Sequence, residues 1–255
     1  MNTREDKFSS SMVQTPPSGI RKFFEMLIGH DDVISLSVGE PDFPTPWCIR
    51  EEAFYHLEKG HTSYTSNWGL LELREEISKY MQKYNMHYNP QKEILITVGA
   101  SEGVDASLRA ILNPGDEIIV CQPCYVNYVP LARLCEVNVV PIDTSVNGFY
   151  PTAEQIEKAV TPKTKAVMIC SPNNPTGTMI PKEELEKIAE IVKKHQIWVI
   201  SDEIYCELAY DGAEHVSIGS FPGMKDYTII LNGFSKSFAM TGWRLGYVAA
   251  PEPVA

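Results

Sequence analysis

Residues 165–201 read KAVMICSPNNPTGTMIPKEELEKIAEIVKKHQIWVIS, and this stretch decides the fold. An apolar run of strand length, Lys165 to Cys170, gives way to a turn segment, then a helical segment, then a second apolar run, Trp198 to Ser201. Strand, helix, strand in that order predicts parallel strands joined by a crossover helix. Over Lys182 to His195 the apolar residues Leu185, Ile188, Ala189 and Val192 recur on one face among charged neighbours, so the helix must bury that stripe against a sheet. Pro181 suits the start of this helix.

The same alternation extends outward on both sides. Strands are expected at Glu93–Val98, Glu117–Cys121, Glu136–Ile142, Thr228–Leu231 and Arg244–Ala249 as well, making seven with the two above. Helices are expected from Leu70 to Tyr80 and from the turn at Gly99 to Leu112, where Val104, Leu108 and Ile111 share a face. The connection from Leu231 to Arg244 is too short for a full crossover, so the last strand should return antiparallel. These elements predict an α/β fold of three α/β/α layers around a mixed, mostly parallel seven-stranded sheet. Residues 1–34 are expected to be an N-terminal arm with one helix around Ser18 to Ile28, and the turn-rich Gly39–Pro46 follows. No internal repeat or low-complexity segment interrupts the pattern.

Bulk properties narrow the function classes. With 255 residues, 44% hydrophobic and 22% charged, the chain can bury a sizeable core. A formal net charge of -11 without a basic cluster argues against nucleic acid or an anionic membrane as the main partner. No apolar run is long enough to span a bilayer, and the first residues lack the apolar centre of a secretory leader, so a cytoplasmic address is expected. Six cysteines in a chain of this size do not form a disulfide framework. Cys121-Gln122-Pro123-Cys124 spells C-x-x-C but has no second pair and no zinc-ligand spacing to a histidine, so no metal site is expected there.

The chemistry is written into four short segments. Asn232 to Arg244 sets Lys236 among small, hydroxyl and aromatic residues, with Ser235 before it and Arg244 eight positions on. An amine in an apolar niche loses proton affinity and becomes a nucleophile toward aldehydes. Gly99-Ala100-Ser101 opens a helix after a strand, which offers free N–H groups to an anion. Ser171 to Gly177 places Asn174 in a turn, and Ser201-Asp202-Glu203-Ile204-Tyr205 leaves a strand end with two acids. Each has a plainer reading: a snorkelling lysine, a helix cap, a turn, a strand-end cap. Lys236-Ser237 is not a P-loop, because the upstream glycines are missing.

Taken together and in order, these segments resemble the fold-type I pyridoxal-phosphate-dependent aminotransferases of class I/II, in the branch of the aspartate, aromatic and N-acetyl-diaminopimelate aminotransferases. The resemblance runs from about Ser35 to Ala255 and implies that 35–255 is a pyridoxal-phosphate-binding large domain, with the C-terminal small domain of the family absent. It implies transfer of an amino group between an L-amino acid and a 2-oxo acid, with Lys236 holding pyridoxal 5'-phosphate as a Schiff base. Ala100, Ser101, Ser235 and Arg244 would hold the cofactor phosphate; Asp202, rather than Glu203, would pair with the ring nitrogen. Asn174 and Tyr205 would donate to the phenolic oxygen, and Tyr125 would stack on the ring. Gly39 and Asn174 would hold the substrate carboxylate, and Tyr64 would reach a partner's phosphate in a homodimer with shared sites. Two other outcomes are compatible with the same motifs: a carbon-sulfur lyase or related β/γ-elimination enzyme, and a cofactor-binding fragment without turnover.

Overall fold

The computed structural model of the protein describes residues 7–17, 19, 34 and 39–255. The helix expected around Ser18 to Ile28 lies, apart from position 19, outside the described residues; within the arm, a short helix α1 spans Ser10–Val13. Helices α2 (Trp47–Glu58) and α3 (Leu71–Gln82) precede β1 (Ile94–Thr97), α4 (Ala100–Ile111) and β2 (Glu117–Gln122). Then come α5 (Tyr128–Leu134), β3 (Asn138–Asp143), α6 (Ala153–Ala159), β4 (Thr164–Cys170), α7 (Lys182–His195), β5 (Trp198–Asp202), β6 (Thr228–Gly233) and β7 (Gly246–Ala249).

All seven expected strands form one sheet in the order β1-β7-β6-β5-β4-β2-β3. Only β7 runs against its neighbours, pairing antiparallel with both β1 and β6. Consequently the carboxyl ends of six strands and the amino end of β7 meet on one edge of the sheet. That edge is where an open α/β sheet places its ligands.

Strand limits differ from expectation where single residues break the extended backbone. Glu136, expected in β3, takes φ 59°, and Val137 N–H still bonds to Ala132 of α5 at 3.0 Å, so the strand waits until Asn138. Arg244 has φ 54° and cannot belong to β7, which starts at Gly246. β6 instead runs on to Gly233, opposite Gly246. A side chain there is impossible without backbone movement: a Cβ at Gly246 would sit 2.6 Å from the Ala100 nitrogen and 2.6 Å from the Gly99 carbonyl carbon.

Alternation along the strands sends side chains to two faces. Ile118, Val120, Met168, Ile200 and Leu231 meet Val104 and Leu108 of α4 and Tyr128 of α5. On the other face Val167, Ile169 and Val199 receive the stripe Leu185, Ile188, Ala189 and Val192 of α7, all buried as the periodicity requires. Burying each such side chain contributes about 1.5–3 kcal/mol. Ile77 and Met81 of α3 close the same face over Ile230 and Ala249.

One polar junction ties α3 to the segment after β5. Glu207 accepts hydrogen bonds from Tyr80 (2.6 Å), Tyr84 (2.7 Å) and Lys83 (2.9 Å). Partial burial works to raise its pKa, but the three donors outweigh that and hold the carboxyl at about 2. A depressed carboxylate stabilises the fold above its unfolded value, and that stability is lost as pH falls from about 4 toward 2. Glu207→Ala is expected to lower stability by about 1–3 kcal/mol at neutral pH, because two phenols lose their acceptor. Denaturant melts of both chains should converge as pH is lowered.

Candidate active site

Lys236 leaves the sheet in the loop after β6. Asn232 steadies that exit, its Oδ1 accepting from Gly233 N–H at 2.7 Å, while Phe234 N–H bonds to Leu245 at 3.1 Å. The lysine is half-buried; its Nζ donates to the Gly39 carbonyl at 2.5 Å and lies 5.9 Å from the centre of the Tyr205 ring. Burial lowers its proton affinity, opposed by the Glu40 charge and reinforced by Arg244. Gly39 is brought to the site, and its contact there is through the carbonyl. The turn segment around it is stapled to the lysine loop by Thr45, whose hydroxyl donates to the Ala239 carbonyl and accepts from Trp243 Nε1 at 3.1 Å.

The end of β5 supplies the acids. Asp202 lies on the α5 face, 5% exposed, and accepts from the Tyr128 hydroxyl at 2.5 Å and from Ile204 N–H at 3.2 Å. Burial pushes its carboxyl up to about 6, although both donors pull the other way; the neighbouring Glu203 charge adds to the rise. Glu203 points to the opposite face, where Ser201, Ser217 and His215 surround its carboxylate. The two acids are thus distinguished by strand alternation, and only Asp202 faces the Tyr128 and Tyr205 side. Tyr205 accepts from Asn174 Nδ2 at 2.8 Å, which leaves the phenol's own proton available to a ligand. Burial pushes this phenol up to about 12, so it is a donor at neutral pH. The turn presenting Asn174 is closed by Gly177 N–H to Asn173 at 2.8 Å and by Asn173 Nδ2 to Thr176 at 2.9 Å.

Tyr128 was not among the residues singled out from sequence. In the run Tyr125-Val126-Asn127-Tyr128 it reads as core, and its ring is 2% exposed. Only its hydroxyl, aimed at Asp202, marks it as part of the site. Tyr125, half-buried, packs edge-on against it with ring centres 5.6 Å apart, and Asn127 holds the Tyr125 hydroxyl at 3.1 Å. Tyr128→Phe removes the stronger of the two donors on Asp202. The Asp202 carboxyl should then titrate above its present value of about 6, read by carbon-13 NMR of labelled aspartate, with a loss of about 1–2 kcal/mol in stability.

At the third corner α4 begins without a side-chain cap on its N-terminus. Ala100 and Ser101, as its first residues, have N–H groups with no intrahelical acceptor. Glu102 turns away to bond Val98 N–H. Gly99, at φ 75°, lies bare beneath the Arg244 guanidinium, and a Cβ there would collide with Arg244 Nη2. Arg244 is exposed and is steered by Nη1 donating to Thr241 at 2.8 Å. Ser235 is buried in the same loop as Lys236. Helix N-terminus, guanidinium and bare glycine make a cradle suited to a phosphate-sized dianion. With a nearby amine and a buried acid, the donor set fits pyridoxal phosphate.

Tyr64 is not brought to the site. Its side chain is fully exposed. The C-x-x-C cysteines are free thiols that burial pushes up to about 12 for Cys121 and about 11 for Cys124, so neither is a thiolate at neutral pH. Among the described residues no group of three or more His, Cys, Asp or Glu is arranged to hold a metal ion. Among them, too, no helix is long and apolar enough to cross a membrane.

Comparison with known proteins bears on this geometry. A family model described as aminotransferase class I and II matches residues 31–255. The chain is 53% identical over 246 residues to a putative aminotransferase, YugH, of Bacillus subtilis, covering 96% of this chain and 64% of that protein. It is 47% identical to a probable N-acetyl-LL-diaminopimelate aminotransferase of the same organism, covering 93% of this chain and 60% of that one. The structure of an aspartate aminotransferase from Thermus thermophilus with maleate superposes with a TM-score of 0.91 at 39% identity, over 97% of this chain and 65% of that one. The chain thus spans rather less than two thirds of the length of these proteins.

Proposed function

The chain belongs to the class I and II aminotransferase family, and from that premise we propose that it binds pyridoxal 5'-phosphate and transfers an amino group between an L-amino acid and a 2-oxo acid. The observation that carries the reading is the half-buried amine of Lys236 set against Tyr205 and Asn174, with a buried acid at the next strand end. Bound pyridoxal phosphate supplies an electron sink for the charge that develops when the substrate Cα loses its proton.

The residues divide the remaining work. Ala100, Ser101, Ser235 and Arg244 hold the phosphate. Asp202, oriented by Tyr128, keeps a cationic ring nitrogen beside it, and Tyr125 covers one face of the ring. Lys236 Nζ, with its proton affinity lowered, would be the point of attachment, condensing with the cofactor aldehyde with loss of water, and would move the proton at the substrate α-carbon. Tyr205 and Asn174 donate to the ring's phenolic oxygen, and Asn174 with the Gly39 N–H orients the substrate carboxylate. Lys236, Asp202 and Tyr205 are the catalytic groups in this reading, and residues 35–255 are the cofactor-binding domain.

We extend the reading to a cytoplasmic homodimer with shared sites. Helix α2 buries none of its residues, leaving Trp47, Phe54, Tyr55 and Leu57 at least half exposed, and the fully exposed Tyr64 follows it. Such a surface is suited to a second copy of the chain, with Tyr64 reaching the partner's phosphate. Six free thiols suit a reducing compartment.

The test is a spectrum of the protein with pyridoxal phosphate, followed by product analysis with amino acid and oxo-acid pairs. Oxo-acid product that appears only with an acceptor supports transamination. Pyruvate and ammonia released from a thioether amino acid without an acceptor would identify a lyase instead, and a cofactor band without turnover would leave a binding fragment.

A further inference from the structure

The acid beside Asp202 has its own buried surroundings, which the proposed chemistry does not use. Glu203 is 2% exposed. Its Oε1 accepts from Ser201 Oγ at 3.0 Å and from Ser217 Oγ at 2.6 Å, and its Oε2 faces His215 Nε2 at 3.1 Å. Ser217 Oγ also accepts Gly219 N–H at 3.2 Å, which leaves its one proton for Glu203. His215 is equally enclosed, its side chain 2% exposed, with the Tyr84 ring edge-on at 5.3 Å. Its Nδ1 is buried with no partner among the described residues. Facing a carboxylate oxygen, His215 Nε2 carries a proton and donates it.

The position of this junction in the chain gives it a consequence. Residues 204–214 leave the sheet after β5, carry Tyr205 near their start, and run through an exposed tip before returning at His215. Glu203 N–H is anchored to Leu231 of β6 at 2.8 Å, and its side chain grips the returning segment of the excursion at His215 and Ser217. The excursion is therefore closed at its base by one carboxylate. Opposite that carboxylate, on the other face of the same two-residue step, stands Asp202.

We infer that Glu203, with His215 as its donor, is a positioning residue that fixes the Asp202–Tyr205 turn and thereby the two groups which meet the cofactor ring. The inference rests on the cofactor reading above. Among the other titratable groups, Tyr84 faces His215, while Tyr88, Tyr247 and Cys206 are protonated neighbours of Glu203, each held neutral by burial. A carboxylate held by three donors keeps its place through directed hydrogen bonds, and directed bonds are what fix a turn.

The experiment uses the whole chain with three readouts: nitrogen-15 NMR of His215 without cofactor, pyridoxal phosphate affinity, and the pH midpoint of the bound cofactor's absorbance band. Native His215 should show a protonated Nε2 that donates to the carboxylate. His215→Phe should weaken cofactor affinity about tenfold and displace the band midpoint, and His215→Gln, which restores a donor at the Nε2 position, should recover both. Glu203→Gln keeps an acceptor for the hydroxyls but turns an N–H toward the imidazole, forcing the proton to Nδ1, and should weaken binding like His215→Phe. That variant decides the matter if His215→Phe fails to fold. Native affinity and midpoint in these variants, no rescue by glutamine, or an unprotonated Nε2 in the native chain overturns the inference. Absence of any cofactor band in the native chain, with Nε2 protonated, removes the cofactor premise and the role built on it, and is distinguished by the unchanged NMR result.

Discussion

Lys236→Ala should abolish the absorbance band that pyridoxal phosphate gives with the native chain, and borohydride should leave no label on the peptide containing position 236. The expected loss in turnover is about four orders of magnitude, since one side chain supplies both the covalent attachment and the proton transfer. Lys236→Arg separates nucleophile from charge. It keeps a cation near Gly39 and Tyr205, but a guanidinium stays protonated and makes no such bond, so it too should be colourless and inactive. Folding should survive either change, because the amine is half-buried and its observed hydrogen bond goes to a single carbonyl. Retention of a borohydride-stable label in Lys236→Ala would move the chemistry to another lysine and remove the central assignment.

How much of this was legible beforehand follows from the range of the interactions involved. Strand β4 and helix α7 could be read directly, because Ala166 to Cys170 is buried on both faces and the α7 stripe repeats within a few residues. The antiparallel return of β7 followed from connection length alone. Limits at Glu136 and Arg244 were missed because a left-handed backbone at a non-glycine residue leaves no mark in composition. The order of the strands was likewise illegible, since β1 lies against β7 at the other end of the chain.

For the site, the resemblance selected Lys236, Asp202, Asn174 and Tyr205, and the geometry places Lys236, Tyr205 and Asn174 in a row. Without the resemblance, the residues alone leave Asp202 and Glu203 as rival acids. Strand alternation sends the two to opposite faces, and the partners that hold Glu203 on its side, Ser217 and His215, lie a loop away and look like ordinary surface-loop residues. Tyr128 escaped notice for a related reason: an aromatic after a strand is read as core, and its ring is indeed core, while only its hydroxyl has another task.

Asp202→Asn sets function against stability, and the two effects should be seen with opposite signs. Without cofactor, the folded carboxyl at about 6 lies above its unfolded value of about 3.9, so stability is full below the unfolded value and declines as pH rises through the folded one. Ionising this group in the cofactor-free chain therefore costs on the order of 2–3 kcal/mol above that range. Asparagine carries no charge and escapes the cost, although it offers one acceptor oxygen where Tyr128 and Ile204 N–H use two, a loss of about 1 kcal/mol. The variant should thus be less stable than the native chain near pH 4 and more stable near pH 7.5, with denaturant melts crossing between them. With cofactor the balance reverses. A buried cationic ring nitrogen left without its carboxylate loses about 3–5 kcal/mol, which is a fall in turnover of roughly a hundred- to several-thousandfold, accompanied by weaker cofactor retention. Parallel stability curves at the two pH values, or turnover within a few fold of native, would show that Asp202 stays protonated and holds no charge against the ring. A carboxylate that destabilises the empty chain and is needed once the ring is bound is a group whose burial serves the ligand.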